Sequence, residues 1–416
     1  MDHSQGAREP LLLAALRQDY GDHVFKHLAP RDFGHLESAL PHDLVFVAAG
    51  AAGAAKEAAL LRSAAGRAYV EAAKKGAKLK PFGERRGGRV TWATEFARIH
   101  RALMWLGVGV AKDLVSASMY HSLVTTGKEG GTSSFGDGSV GKLGHGGEGG
   151  ERVPRLIDAL HREVVKKVAA GLYHSLVLTR DGCVFSFGIG DDGQLGHGNT
   201  DEQLVPKLVE GPRIWGGGAA PLTDLTDIAA GAFHSLAVGG EGRTTTGTSG
   251  TTGTKVVYTW GLNGCGQLGL GDQGDGTNRL RPTRVPGLSG VASVAARRHH
   301  SFAILACEGG TIMACGENYS GELGLEDTVI RETFTVVPSL RDVVDMDTGN
   351  IHSIAVTSGG ELYTWGKGRA LGHGGDHITR CLVPTKVTGG GIDGATVVQV
   401  AAGDFHSMAL TTSGEL

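Results

Sequence analysis

Beyond residue 113 the apolar residues fall in short runs rather than at helical spacing. In one stretch, Lys167–Gly171 leads into the run His174–Leu178, and Asp181-Gly182 separates that run from Cys183–Phe187. Two such runs around Asp-Gly predict a β-hairpin. Residues 193–198 then read as a glycine-rich loop, and Pro206 opens a further short run, Lys207–Val209. Proline cannot donate to a ladder, so it fits the start of a strand or an outer edge strand. Pro154, Pro282 and Pro384 hold the matching place elsewhere. Each such stretch predicts about four short strands.

The pattern returns along the chain. His-Ser recurs at His121-Ser122, His174-Ser175, His234-Ser235, His300-Ser301, His352-Ser353 and His406-Ser407, at intervals of 53, 60, 66, 52 and 54 residues. The first five are followed by Phe135-Gly136, Phe187-Gly188, Trp260-Gly261, Cys315-Gly316 and Trp365-Gly366, and then by Leu-Gly steps ending at Gly144, Gly196, Gly269, Gly324 and Gly372. A period of this length marks a repeat architecture. One small antiparallel sheet per repeat, arranged radially, predicts an all-β propeller.

A catalytic dyad is needed once, whereas His-Ser occurs six times, so the pair is read as scaffold. Each pair lies in an apolar run, and buried imidazoles and hydroxyls need hydrogen-bond partners across strands or blades. A ring of histidines around a metal is the alternative chemistry, but no acidic or thiol residue repeats beside them. The glycines of GQLG lack the Lys-Ser/Thr that follows in a phosphate cradle, and turn geometry accounts for them. No catalytic, cofactor or metal site is expected.

No Trp-Asp dipeptide occurs. The order G-x-x-H-S, aromatic-Gly, GQLG (193–196 and 266–269; GELG at 321–324), then proline, resembles the repeat of the regulator of chromosome condensation family over about residues 113–416. The resemblance implies a propeller of about seven blades. Its founding members are guanine-nucleotide exchange factors for a small GTPase, and family exchange factors carry a wedge-like insertion after one aromatic-Gly. Here the aromatic lies 9, 9, 9, 9 and 7 residues before the Leu-Gly glycine, so no copy has that insertion. Ser118 and Arg297 depart from the repeat by replacing the glycine before His-Ser, Cys315 replaces the aromatic, and Thr335 replaces proline. The third copy is long between His234 and Trp260, where a Gly/Thr tract over 239–255 reads as a flexible hairpin extension.

Composition divides the chain near Asp113. Residues 1–112 hold 17 basic and 11 acidic side chains with 12 glycines; the remainder holds 23 basic, 32 acidic and 57 glycines. The N-terminal region, 1–112, is expected to be mainly helical, with an alanine-rich stretch over 54–75 and an amphipathic helix from Trp92 to Leu106. Between them, residues 74–89 carry seven basic residues and one acid. They form a linker, a nuclear localisation signal or a nucleic-acid patch. Residues 28–36 faintly resemble the opening of an F-box, which docks on a ubiquitin-ligase adaptor. The acidic propeller argues against tight DNA binding. No apolar run is long enough for a membrane span. Five cysteines without a C-x-x-C pair fit free thiols in the cytosol or nucleus.

These features predict a monomeric, non-catalytic protein-interaction scaffold with a protein partner. The alternatives are an exchange factor for a small GTPase, or a substrate-recognition subunit of a ubiquitin ligase if the N-terminus is an F-box. The sixth copy stops at Leu416, before its aromatic-Gly strand. About six of roughly seven blades are therefore expected, the last truncated, in an open arc or gapped ring. Nothing in residues 1–112 reads as strand-like enough to complete a blade.

Overall fold

The computed structural model describes residues 114–213, 219–240, 254–306, 309–374, 380–413 and 416. The helices expected in 1–112, the F-box-like stretch and most of the Gly/Thr tract lie outside the described residues.

Each repeat folds into its own antiparallel meander. The first sheet is β1 (Val115–Ala117), β2 (His121–Thr125), β3 (Thr132–Gly136) and β4 (Glu151–Leu156), hydrogen-bonded in that order. The second is β5 (Val165–Ala170), β6 (His174–Thr179), β7 (Val184–Gly188) and β8 (Gln203–Leu208). A two-stranded ribbon, β9 (Glu210–Arg213) with β10 (Ala219–Pro221), follows it; the sequence pattern did not announce this ribbon. The third sheet comprises β11 (Leu225–Ala230), β12 (His234–Gly240), β13 (Lys255–Gly261) and β14 (Arg279–Ser289). The fourth comprises β15 (Val291–Arg297), β16 (His300–Leu305), β17 (Thr311–Gly316) and β18 (Arg331–Val336). The fifth is β19 (Val343–Thr348), β20 (His352–Thr357), β21 (Leu362–Lys367) and β22 (Arg380–Lys386). The sixth holds β23 (Val397–Ala402) and β24 (Ser407–Thr411).

The second strand of each of the first five sheets begins at the motif histidine and is buried almost throughout. From the second sheet to the fifth, such strands lie between two neighbouring sheets, which is why they read as continuous apolar runs rather than alternating ones. The fourth strands are half-exposed edges. They carry Pro154, Pro206, Pro282 and Pro384 inside the strand rather than at its start, because an outer edge leaves one row of N–H groups unneeded.

The core is a series of layers between successive sheets. Leu123, Val168 and Phe187 join the first two; Leu176, Ile228 and Trp260 the next pair. Leu236, Val294 and Ala303 continue the series, followed by Phe302, Met346 and Trp365, and then by Ile354, Val397 and Val400. None of these layers links the sixth sheet to the first. First strands of successive sheets pack on one another, β1 on β5, β5 on β11 and so on to β23, so they line the centre. Side chains tie them: Ser116 Oγ accepts from Ala170 N (2.9 Å), Asp227 from Val294 N (2.9 Å) and Asp345 from Val400 N (3.0 Å).

The aromatic-Gly glycine has a structural cause. His352 pairs with Gly366, and the same His–Gly register recurs in the other four complete sheets. Gly366 has φ +99°, and a Cβ there would collide with the Ile351 carbonyl and lie 2.7 Å from His352 Cα. Gly366→Ala is expected to lower stability by about 2 kcal/mol or more, since strained backbone of this kind costs of order 1–3 kcal/mol. Chemical denaturation measures it; an unchanged midpoint would contradict this account of the register.

A candidate interaction face held by histidine–serine staples

The His-Ser pairs do not bond within a pair. His121 Nε2 lies 2.7 Å from Ser175 Oγ of the next sheet, His174 Nε2 2.9 Å from Ser235 Oγ, and His234 Nε2 2.8 Å from Ser301 Oγ. Each serine hydroxyl in turn donates to a carbonyl of the preceding sheet: Ser175 to Lys142 O (2.8 Å), Ser235 to Gln194 O (2.8 Å), Ser301 to Gln267 O (2.7 Å). Those hydroxyl protons are committed, so Nε2–H must be the donor to the serine oxygen. Every staple thus joins a histidine, the next sheet's serine and the loop carbonyl two residues before a Leu-Gly glycine.

Variations follow the sequence. His300 Nε2 reaches Thr348 Oγ1 (2.5 Å), which lies 3.1 Å from Ser353 Oγ, and Ser353 donates to Glu322 O (2.9 Å). Thr348 stands where other repeats have alanine, so one extra hydroxyl enters the relay. In the last interface Ser407 donates to Ala370 O (2.8 Å), while neither ring nitrogen of His352 has a described partner. Ser122, in the first sheet, has no histidine before it, and its buried hydroxyl is unpartnered among the described residues.

The imidazole edge facing away from each staple explains the G-x-x-H-S glycine. A Cβ on Gly171, Gly231, Gly349 or Gly403 would run into the histidine ring. Where serine replaces this glycine, Ser118 Oγ bonds His121 Nδ1 (3.0 Å). Arg297 instead turns across the centre: Nη1 donates to Ala117 O of the first sheet (3.2 Å), and Nε (3.0 Å) and Nη2 (2.5 Å) to Asp404 Oδ1 of the sixth. Burial holds the imidazoles neutral, depressing His121 and His300 to about 3 and His174 and His352 to about 4. Unfolded histidine protonates near 6.5, so stability falls as pH drops below that value towards 3–4.

The aromatic positions lock the same loops. Trp260 Nε1 donates to Gln194 O (2.8 Å) and Trp365 Nε1 to Glu322 O (2.7 Å), each indole seated against Gly196 or Gly324. Phe187 sits against Gly144 in the same way, and Cys315 against Gly269 with Phe334 beside it. Glu322 occupies the position of Gln194 and Gln267. Its Oε2 accepts from Ser320 N (2.6 Å) while Oε1 is buried and unpartnered, and burial lifts its carboxyl to about 7.

The residue before each motif histidine went unremarked in the repeat. Tyr120, Tyr173, Phe233 and His299 form a half-buried stack with centroid separations of 5.3, 5.7 and 6.4 Å. Lys142 Nζ lies 5.8 and 5.7 Å from the two tyrosine rings and donates to Asp137 (2.9 Å). The loops after aromatic-Gly are pinned to this edge: Ile189 N donates to Tyr173 O (3.1 Å), Leu262 N to Phe233 O (2.8 Å), Glu317 N to His299 O (2.8 Å). Arg298, next to His299, pairs with Glu317 at 3.5 Å, and Phe405, the residue before the sixth motif histidine, is 66% exposed. The signal is an apolar or aromatic residue at one repeat position, but its identity varies, so it leaves no constant letter in the sequence. Among the described residues, no group of three His, Cys, Asp or Glu side chains could hold a metal.

Residues 84–409 match the family described as RCC1-like domain. The chain belongs to that family. The RCC1-like propeller is 35% identical over 306 residues to the mouse E3 ubiquitin-protein ligase HERC2, covering 71% of this chain and 6% of that protein. It is 33% identical to the Arabidopsis thaliana ultraviolet-B receptor UVR8, covering 73% of this chain and 63% of the receptor. The chain thus spans less than two thirds of both relatives. Among solved structures, Prp20p of Saccharomyces cerevisiae is similar with a TM-score of 0.56 at 23% identity, over 70% of this chain and 66% of that one. Human WBSCR16 is similar with a TM-score of 0.57 at 22% identity, over 72% and 74%. These two likenesses concern the fold.

Two predictions follow from the staples. His174→Ala and Ser235→Ala should each destabilise by about 1–3 kcal/mol, since each strands a buried polar group, and the double variant should cost less than their sum. Additive losses in a double-mutant cycle would show that the pair is not coupled. For Glu322, a folded pKa above the unfolded value near 4.3 means the folded state holds a proton longer, so its contribution erodes as pH rises from about 4.5 to 7. Glu322→Gln should therefore raise Tm at pH 8 and leave it nearly unchanged at pH 5; an equal shift at both values would contradict this.

Proposed function

We propose that this RCC1-like propeller is a non-catalytic protein-interaction module that binds its partner through the aromatic face. One observation carries the reading: the constant residues are buried in staples, whereas Tyr120, Tyr173, Phe233, His299 and Phe405 vary around a single partly exposed edge. Rigid sheets holding variable side chains at loop ends is how binding surfaces are commonly built, and aromatic side chains are enriched in the energetic centres of interfaces. No step of bond making is assigned to the histidines, because the described serines bond to a neighbouring sheet rather than to their own histidine. The described cysteines are free thiols, which suits a role in the cytosol or nucleus.

The partner is proposed to be a protein. Among similar proteins, the structure of Prp20p is described together with its binding to Gsp1p and histones, and HERC2 is an E3 ubiquitin-protein ligase. A small GTPase and a ubiquitin-ligase adaptor are therefore the first partners to test. The repeat spacing favours binding over nucleotide exchange, since no long insertion follows any aromatic-Gly.

Tyr173→Ser/Phe233→Ser is expected to weaken capture of the partner at least tenfold while circular dichroism stays native. Nucleotide release from a panel of small GTPases should be unaffected by the wild-type chain. Acceleration comparable to a dedicated exchange factor, or partner capture indifferent to the double substitution, would overturn the reading.

A further inference from the structure

Two repeat positions beside the aromatic row differ in charge from sheet to sheet: the residue after aromatic-Gly, and the residue before each Leu-Gly step. The second and third sheets hold Ile189 with Gln194 and Leu262 with Gln267, an apolar residue with an amide. The first sheet holds Asp137 with Lys142, and the fourth holds Glu317 with Glu322 at the same spacing. Both acids are anchored alike, since Asp137 N donates to Tyr120 O (2.9 Å) and Glu317 N to His299 O (2.8 Å).

In the first sheet the pair is complete. Lys142 is fully buried, and its Nζ donates to Asp137 Oδ2 (2.9 Å), Ser139 O (2.9 Å) and Ser139 Oγ (2.5 Å), with the Tyr120 and Tyr173 rings alongside. In the fourth sheet a carboxyl group stands where that cation belongs. Glu322 is 0% exposed and Glu317 4%, yet Glu322 Oε1 and Glu317 Oε2 accept no hydrogen bond. Arg298 Nε stops 3.5 Å from Glu317 Oε2, and its side chain is 42% exposed. It covers the carboxylate without bonding it. Carboxylate oxygens kept from water without a donor are costly. Among the described residues no third His, Cys, Asp or Glu joins the two glutamates in a group that could hold a metal. The donor that fits is a single ammonium.

We propose that the fourth sheet carries a lysine-binding site, in which an ammonium from the protein partner takes the place that Lys142 Nζ fills in the first sheet, with Glu317 and Glu322 as its acceptors. The inference rests on the reading of the aromatic face as the binding face. The surroundings suit a lysine stem. Half-buried His299 stands at the place of Tyr120, and half-buried Ile351 at that of Tyr173, so the methylenes would run between a ring and an apolar side chain. Entry moves Arg298 aside, and no hydrogen bond to Glu317 is lost in doing so. Burial, and then the charge of Glu317, keep the Glu322 proton on to about 7. Taking up the ammonium releases that proton to solvent, so affinity rises with pH through that value. The other groups facing the pair are Arg298, His299 and Cys265. Burial lowers His299 and raises Cys265, so both stay neutral where Glu322 titrates.

Titration of the full chain with Nα-acetyl-lysine methylamide, read by NMR on carbon-13-labelled glutamate carboxyls, tests the site. The Glu317 and Glu322 signals, assigned through their glutamine variants, should shift saturably with this probe. They should not shift with the capped norleucine analogue, which has the stem without the charge. Binding should be about fivefold tighter or more at pH 8 than at pH 6. Glu322→Gln, which repeats Gln194 and Gln267, should weaken it by about tenfold or more. Glu322→Lys should rebuild the first sheet's ion pair, raising Tm at pH 7 and abolishing binding. Tyr173→Ser, two sheets away, should leave lysine binding unchanged. Absence of a saturable shift, equal binding of the norleucine analogue, or binding indifferent to Glu322→Gln would overturn the proposal. None of these outcomes touches partner capture by the aromatic row, which the Tyr173→Ser/Phe233→Ser variant decides separately.

Discussion

The structure depends on one hydrogen-bond relay: imidazole to serine hydroxyl to carbonyl, always between neighbouring sheets. A sheet of this size has two apolar faces and cannot hide either alone. Apolar packing brings successive sheets together without fixing their angle, since it is non-directional. The relay adds direction. Histidine and serine come from adjoining strands of successive sheets, and the carbonyl comes from a tight loop. Where all three are in place, the serine oxygen both accepts from the imidazole and donates to the carbonyl; at the last joint the serine–carbonyl bond forms without the histidine. The glycine across the ladder from His121, His174, His234, His300 and His352, and the one beneath the ring at His174, His234, His352 and His406, follow from this: the imidazole needs room.

The relay also explains how burial can be so complete without ionised groups. Neutral imidazole is a donor on one nitrogen and an acceptor on the other, so it tolerates a dry interface that a cation would not. Glu322 is the instructive contrast. It replaces a glutamine amide at a repeated position and retains the accepted hydrogen bond, from Ser320, but the atom left without a partner is a carboxyl oxygen where Gln194 and Gln267 have a neutral amide nitrogen. The result is a carboxyl group that keeps its proton to about 7.

Much of this was legible from residue spacing. The six-fold His-Ser repeat, the Asp-Gly turn before Cys183 and the edge prolines led to sheets of four strands, and the described residues contain five such sheets and two strands of a sixth. The loop glycines were legible as turn residues for the same reason: they recur. What was not legible is what does not repeat. Thr348 enters the relay as a single substitution for alanine. Arg297 was visible only as a departure from glycine, and its contacts lie two and three sheets away, beyond the range of any local pattern. The stack of Tyr120, Tyr173, Phe233 and His299 was hidden because its members differ in kind. The ribbon of β9 and β10 has no counterpart in other repeats to announce it. The prolines fitted either a strand start or an outer edge strand, and they lie within the outer edge strands.

Arg297 changes how such a molecule can fold. A series of sheets that touch only their neighbours behaves as a one-dimensional array, able to nucleate at any joint and to fray from either end. The guanidinium that bonds Ala117 O and Asp404 breaks this description, because it requires the fourth sheet to meet the first and the last together. The two contacts close loops of 180 and 107 residues. The entropy of closing a loop grows only with the logarithm of its length, so most of that cost has been met once the intervening sheets are stacked. Arg297 therefore acts late, as the contact through which the terminal sheets sense each other. It turns fraying at one end into an event that the other end must share.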